Sequence, residues 1–195
     1  MQFIYSKPKA LSSELCEELI ATFENSNLKK PGVINQNDKV ATFSHIKQST
    51  DLCFTPEYEQ DPVWGPLLKS VLEVLHTEVD NYAFKFKEAI YTLNDFRLET
   101  VFNIQRYLPG EAYKAFHCER GGITTGHRVL VWMFYLNDVT DKGETQFYYQ
   151  DWKEKAEQGK LLIWPSDWTH LHRGIISPSQ AKYVMTGWFV HYQNQ

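Results

Sequence analysis

The rhythm of apolar and polar positions along this 195-residue chain changes near residue 90. Up to that point the period is helical. In SSELCEELIATFENS, Leu15, Leu19, Ile20 and Phe23 share one face, and Ser12 or Ser13 stands ready to cap the start. In DPVWGPLLKSVLEVLHTEVDNYAFKF, Trp64, Leu67, Leu68, Val71, Leu72 and Leu75 form a second apolar stripe behind Pro62. QFIYS reads as a short strand, and NSNLKKPGVINQND, with its Pro31-Gly32, as a loop. Beyond residue 90 short strand-like runs follow one another: RLETVFNIQRYL, EAYKAFHCE, HRVLVWMFYLN, ETQFYY, GKLLIWP, THLHRGII and AKYVMTGWFVHY. Turn residues punctuate them at Pro109-Gly110, Gly121-Gly122, Asp141-Lys142-Gly143, Pro165-Ser166-Asp167 and Ser177-Pro178. The pattern predicts an α+β, mainly β fold: a jelly roll (double-stranded β-helix) buttressed by N-terminal helices. Those helices need the sheet to bury their apolar stripes, so residues 1–195 are expected to form a single domain.

Composition narrows the classes. Apolar residues at 43% and aromatics at 15% exclude disorder as the main state. A formal charge of -4 argues against a nucleic-acid partner or an anionic membrane surface. Cys16, Cys53 and Cys118 are odd in number and widely spaced, which suits a reducing compartment, and no long apolar run precedes the first helix. The expectation is a cytoplasmic protein.

The chemistry gathers in two short stretches. In FHCERGG, His117 and Glu119 stand two apart in an extended-looking segment, so period-two alternation sends them to one side and Cys118 to the other, towards the core. In WTHLHRG, His170 and His172 repeat that spacing. Two imidazoles and a carboxylate on one face of a cation suit Fe(II) and leave positions open for other ligands, whereas a structural zinc site would favour thiolates.

In that setting the chain resembles the Fe(II)/2-oxoglutarate-dependent dioxygenases of the prolyl-4-hydroxylase-like group. That group carries H-x-D on one strand, a second histidine later, and a Lys or Arg about ten positions beyond it. Here the elements are His117-Cys118-Glu119, His172 and, ten residues on, Lys182. QRYLPGEAYKAFHCE is similar to the family's Y-x-x-G-x-x-Y run with Tyr107 and Tyr113, VWMFYLND to its strand ending in Y-L-N, and GETQFY to its G-G-x-T-x-F turn. GKLLIWPS, MTGWF and the N-terminal LSSELCEELI complete the ordered match. The resemblance implies metal ligation and catalysis by His117, Glu119 and His172, with His172 preferred to His170 for its spacing to Lys182. It implies that Lys182 binds the distal carboxylate of 2-oxoglutarate beside Tyr107 and Tyr135. Thr145 would line that pocket and Trp188 would close the site. The implied cofactors are Fe(II), 2-oxoglutarate and O2, with ascorbate as a further candidate. The implied reaction is hydroxylation of an unactivated C–H bond, first of all in a prolyl residue of a peptide or protein. One departure stands out: the family's aspartate ligand is Glu119 here.

Other readings remain open at the level of sequence. The same chemistry could serve a free amino acid or small metabolite. The chain could be a non-catalytic, cupin-like metal-binding jelly roll; a cupin-type isomerase is a separate reading, and it would want a further histidine near the first pair, for which His127 is the candidate. A nucleic-acid demethylase lacks a basic, aromatic-interleaved patch. Arg128 and Arg173 are candidates for binding a substrate anion, and His170 for orienting a ligand. Trp152, Trp164 and Trp168 read as structural, Trp168 near the pocket mouth. DWKEKAEQ reads as a solvated loop, and the loops around Lys29 to Asp38 and Phe43 to Cys53 as places for a substrate lid.

Overall fold

The computed structural model describes residues 2–36 and 39–192. Its strands are β1 (Tyr5–Lys7), β2 (Lys30–Pro31), β3 (Ile34–Gln36), β4 (Lys39–Ala41), β5 (Thr50–Phe54), β6 (Phe96–Leu98) and β7 (Phe102–Tyr107). They continue with β8 (Arg128–Tyr135), β9 (Thr145–Phe147), β10 (Trp152–Glu154), β11 (Leu161–Pro165), β12 (His172–Gly174) and β13 (Lys182–His191). The helices are α1 (Ser13–Asn25), α2 (Trp64–Lys85) and the single turn α3 (Lys87–Ile90). The larger sheet is ordered β1-β11-β8-β13-β7-β5-β2, with β6 also on β13, and the smaller one β10-β9-β12. Every pairing is antiparallel, and β3-β4 form a separate hairpin. This is the expected mainly-β jelly roll with helices packed on one side.

β8 shows how two layers share one sheet. Its run RVLVWMFY is buried beyond the first residue, because both of its faces are covered. Leu130, Trp132 and Phe134 point to the helices and join Leu19, Phe23, Leu68, Val71 and Leu75 in one core. Val131, Met133 and Tyr135 point the other way, into the roll, with Tyr107, Phe147, Leu162, Trp164 and Val184. The same alternation on β13 sends Met185 and Phe189 to the helices, and Val184 into the roll. Lys182 shares Val184's parity. So one layer of aromatics fixes the scaffold, while the inward face of the same strands builds the site.

Both helices form where expected. Ser12 caps α1, its Oγ accepting from the Leu15 N–H at 3.2 Å, and Cys16, Leu19 and Phe23 are its buried residues. On α2 the buried stripe runs from Trp64 on to Val79 and Tyr82, with Leu72 half-buried. Several expectations are corrected. The Lys29–Asp38 loop contains β2 and β3, although Asn37 and Asp38 lie outside the described residues. The Phe43–Cys53 loop ends in β5, whose Leu52 and Phe54 face the helix core. DWKEKAEQ contains β10, and its Glu154 is buried against Lys160 at 2.6 Å, so charge pairing rather than solvation explains it. Cys118 is half-buried rather than a core residue.

Candidate metal centre

His117 and Glu119 do not lie on a ladder strand. Their segment is extended but pairs through isolated bridges, Lys47 with Tyr113 and His117 with His172. His117 N–H donates to His172 O at 3.0 Å, and His172 N–H returns the bond to His117 O at 2.9 Å. Glu119 N–H donates to Ser166 O at 3.1 Å. The backbone itself thus ties one histidine to the other, and alternation in an extended chain still turns His117 and Glu119 the same way. His170 falls in a 3-10 turn (Trp168–His170) rather than on a strand. Its ring faces away, with Nε2 at 2.9 Å from Gln2 O and Nδ1 at 3.0 Å from Thr169 Oγ1. His170 meets His172 through its backbone instead: His172 Nδ1 donates to His170 O at 3.0 Å.

The three side chains converge. Potential ligand atoms of His117, Glu119 and His172 lie within 4.8 Å of one another, the one such group of three among the described residues. Glu119 Oε1 is 3.2 Å from His117 Nε2 and 3.6 Å from His172 Nε2. His117 Nδ1 sits 3.0 Å from Ala115 O, as His172 Nδ1 does from His170 O. A carbonyl can only accept, so each Nδ1 carries a proton and each ring turns its Nε2 towards Glu119. Deprotonated, the two Nε2 atoms and the carboxylate oxygen would all point at one cation. The donor set of two imidazoles and one carboxylate, without thiolate, fits Fe(II).

The surroundings hold the rings still and dry. Tyr113 stacks flat on His117, centroids 3.6 Å apart and planes 7° from parallel. His172 is buried between Trp164 and Phe147, at 5.0 and 5.8 Å. Burial, aided by His117, lowers the His172 pKa, in the direction of the neutral imidazole that ligation requires. For Glu119 burial works to raise the pKa, yet the bonding and charge of the two histidines outweigh it and hold the carboxyl well below its usual range.

A second polar group lies further inside the roll. Lys182 is buried, opposite Tyr107 in the β13–β7 register, with Nζ 5.3 Å from the Tyr107 ring centroid. It makes one hydrogen bond among the described residues, to Gly143 O at 2.9 Å. Burial brings its pKa down to about 8, only partly opposed by Glu144. Gly143 is required in that turn: its φ is +80°, and a Cβ there would stand 2.5 Å from Val139 Cγ1. An ammonium has three N–H donors, so that of Lys182 retains capacity for a further anionic partner.

The remaining predicted residues are distributed unevenly. Tyr107 is buried and donates to Gln105 Oε1 at 2.6 Å, while Tyr135 donates to Thr145 Oγ1 at 2.6 Å, both fully inside. Trp188 touches the metal group rather than the lysine: its Nε1 donates to Glu119 Oε2 at 3.0 Å. Arg128 also reaches Glu119, whereas Arg173 stacks on Phe116 and bonds Gln146. His127 stays outside, half-exposed and 3.9 Å from Glu99, so the further histidine that a cupin site would want is not supplied by it. Trp152 and Trp164 pack in the inner core, and Trp168 is exposed. Sequence reasoning passed over Gln105 and Glu99; nothing in their spacing marks them.

Residues 102–190 match the model of the 2OG-Fe(II) oxygenase superfamily. Comparison with curated proteins finds no match. Among solved structures, the fold resembles the viral collagen prolyl hydroxylase of Paramecium Bursaria Chlorella virus-1, in complex with 2OG (TM-score 0.72, 16% identity, 98% of this chain and 97% of that one). It is also similar to a Pseudomonas putida prolyl-4-hydroxylase (0.69, 17%, 98% and 94%). A third is a Trichoplax adhaerens prolyl hydroxylase, bound to a hypoxia inducible factor oxygen degradation domain peptide (0.73, 15%, 97% and 84%). At such identities the likeness establishes a shared fold. No helix among the described residues is long and apolar enough to cross a membrane. The match over residues 102–190 spans all three candidate ligands and Lys182, so the similarity to the 2OG-Fe(II) oxygenase superfamily falls on the part of the chain that builds the candidate site.

Proposed function

We propose that residues 1–195 form a single Fe(II)- and 2-oxoglutarate-dependent oxygenase domain that hydroxylates an unactivated C–H bond, on a prolyl residue of a peptide or protein. The observation that carries this reading is the pairing of two groups inside the roll: three convergent metal-ligating atoms, and a buried lysine with unused donors. Support for the prolyl substrate comes from the similar structures, which are prolyl hydroxylases, one of them peptide-bound. The three free cysteines accord with a reducing compartment, and the reading places the protein in the cytoplasm.

His117, Glu119 and His172 would hold Fe(II). When bound, Fe(II) with 2-oxoglutarate and O2 supplies the oxidising chemistry, in which 2-oxoglutarate becomes succinate and CO2 and one oxygen atom enters the substrate. The chain's own contribution is placement. Lys182 offers a charge-assisted hydrogen bond to the distal carboxylate, and its desolvation makes that contact stronger than at a surface. Tyr113 fixes the plane of His117, and His170 O fixes that of His172. Phe147, Trp164 and Val184 keep water from the inner end.

The test is an anaerobic titration of the metal-free protein with Fe(II) and 2-oxoglutarate, following the visible charge-transfer absorption. The wild type should develop the band, and Lys182→Ala should need far more 2-oxoglutarate. Proline-containing peptides should then gain 16 mass units in air. Absence of a band while metal binds would sink the oxygenase reading, and a band without peptide oxidation would reject the prolyl substrate.

A further inference from the structure

Glu119 uses its two oxygens differently. Oε1 faces the histidines, and Oε2 is gripped from behind by Trp188 Nε1 at 3.0 Å and Arg128 Nη1 at 3.3 Å. The same Nη1 lies 3.3 Å from the Glu119 carbonyl, and the guanidinium stacks on the Trp188 ring, 3.5 Å from its centroid. Glu99 stands behind, its Oε2 3.7 Å from Arg128 Nε and its N–H bonded to Trp188 O at 2.9 Å. Strands β8 and β13 therefore each bring one donor to the same carboxylate oxygen, and the residue after β6 stands behind both.

Resting on the proposed function, we infer that Arg128 and Trp188 are positioning residues that make glutamate the matched ligand in this chain. Glutamate has one more rotatable bond than aspartate and loses more freedom when held. Unrestrained, its carboxylate can turn either oxygen, or both, towards a cation. Two donors on Oε2 stop that rotation and present Oε1 alone. The added methylene, which looks like a defect beside the family's aspartate, is what carries Oε2 out to the Arg128–Trp188 pair. Arg128 is thereby removed from the set of free substrate-binding cations, and Trp188 acts through Glu119 rather than on the cosubstrate. Stacking on an aromatic face while donating in plane is a task for guanidinium, and an ammonium does not reproduce it.

The experiment measures Mn(II) binding to the metal-free protein by the electron paramagnetic resonance signal of free Mn(II), with apo-protein melting temperatures recorded alongside. Trp188→Phe keeps a ring and removes only the N–H; Arg128→Lys keeps the charge and removes the fork. Each is expected to weaken Mn(II) binding by about 10- to 100-fold, the usual loss when a group that orients a ligand is removed. Glu119→Asp, although it restores the family residue, is expected to bind more weakly than wild type. A purely structural role would lower the melting temperature and leave Mn(II) affinity alone. Affinities of Trp188→Phe and Arg128→Lys within twofold of wild type, or tighter binding by Glu119→Asp, would overturn the inference while leaving the proposed function intact. Failure of the wild type itself to bind Mn(II) would overturn both.

Discussion

Lys182 supplies the prediction that follows most directly from the structure. Its pKa of about 8, against 10.5 for the free side chain, is caused first by burial, with only Glu144 pulling the other way. A difference of roughly 2.5 units at 1.36 kcal/mol each puts the cost of the buried ammonium at about 3 kcal/mol. The sign follows from proton counts. Between pH 8 and 10.5 the unfolded lysine is protonated and the native one is not, so native stability rises with pH across that window. The cost is fully present below pH 8. Lys182→Met removes this titration and leaves the others in place. The measurement is therefore the wild-type-minus-variant difference in urea unfolding free energy of the apo-protein, which should move by about 3 kcal/mol in favour of wild type from pH 7 to pH 10.5. Cosubstrate affinity should run opposite. With Mn(II) bound, the Kd for 2-oxoglutarate should be flat below pH 8 and rise about tenfold per pH unit above it, as the ammonium is lost. Parallel unfolding curves for the two proteins, together with a Kd unchanged between pH 7 and 9.5, would refute the reasoning.

Other expectations are simpler. His172→Ala should weaken Mn(II) binding more than about 100-fold, exceeding the loss from any orienting group; retention within tenfold would remove His172 from the ligand set. Thr145→Val strands the fully buried Tyr135 hydroxyl and should cost about 1–3 kcal/mol in urea unfolding, with much of it recovered in the Tyr135→Phe background. An unchanged midpoint would show that the hydroxyl pair contributes nothing. Gly187→Ala places a methyl 2.6 Å from Trp132 Cζ2 and 2.7 Å from Phe102 Cβ, both in the rigid helix-side core. It should destabilise by about 1–3 kcal/mol while leaving Mn(II) affinity near wild type; a melting temperature equal to wild type would contradict the packing described.

The fold was legible where one periodicity governed a whole element. α1 and α2 bury the faces that their 3.6-residue spacing marks, and the runs around β8, β11 and β13 read as strands because both of their faces are covered. Legibility failed where tertiary contacts outweighed local composition. β10 looks solvated until Lys160 folds onto Glu154, and the two-residue β2 exists only as an edge on β5. Charges and prolines that suggest loops are compatible with strands when another part of the chain supplies the pairing.

The metal group was legible for a different reason, and partly in spite of a wrong premise. Side-chain alternation was read as a property of a strand, but it belongs to extended backbone, with or without a ladder. The segment holding His117 and Glu119 is extended because its peptide groups bond to His172 and Ser166 one at a time. Around His170 the premise did fail: the turn of residues 168–170 sends that ring towards Gln2, and only His172, the first residue of β12, enters the roll. Spacing could find three convergent side chains because each is fixed by its own backbone. It could not find the Arg128–Trp188 grip on Glu119, which two distant strands, β8 and β13, assemble on one carboxylate oxygen. A departure from a family pattern at a ligand is thus best read with its neighbours, because the residue that looks altered is the one around which those contacts are built.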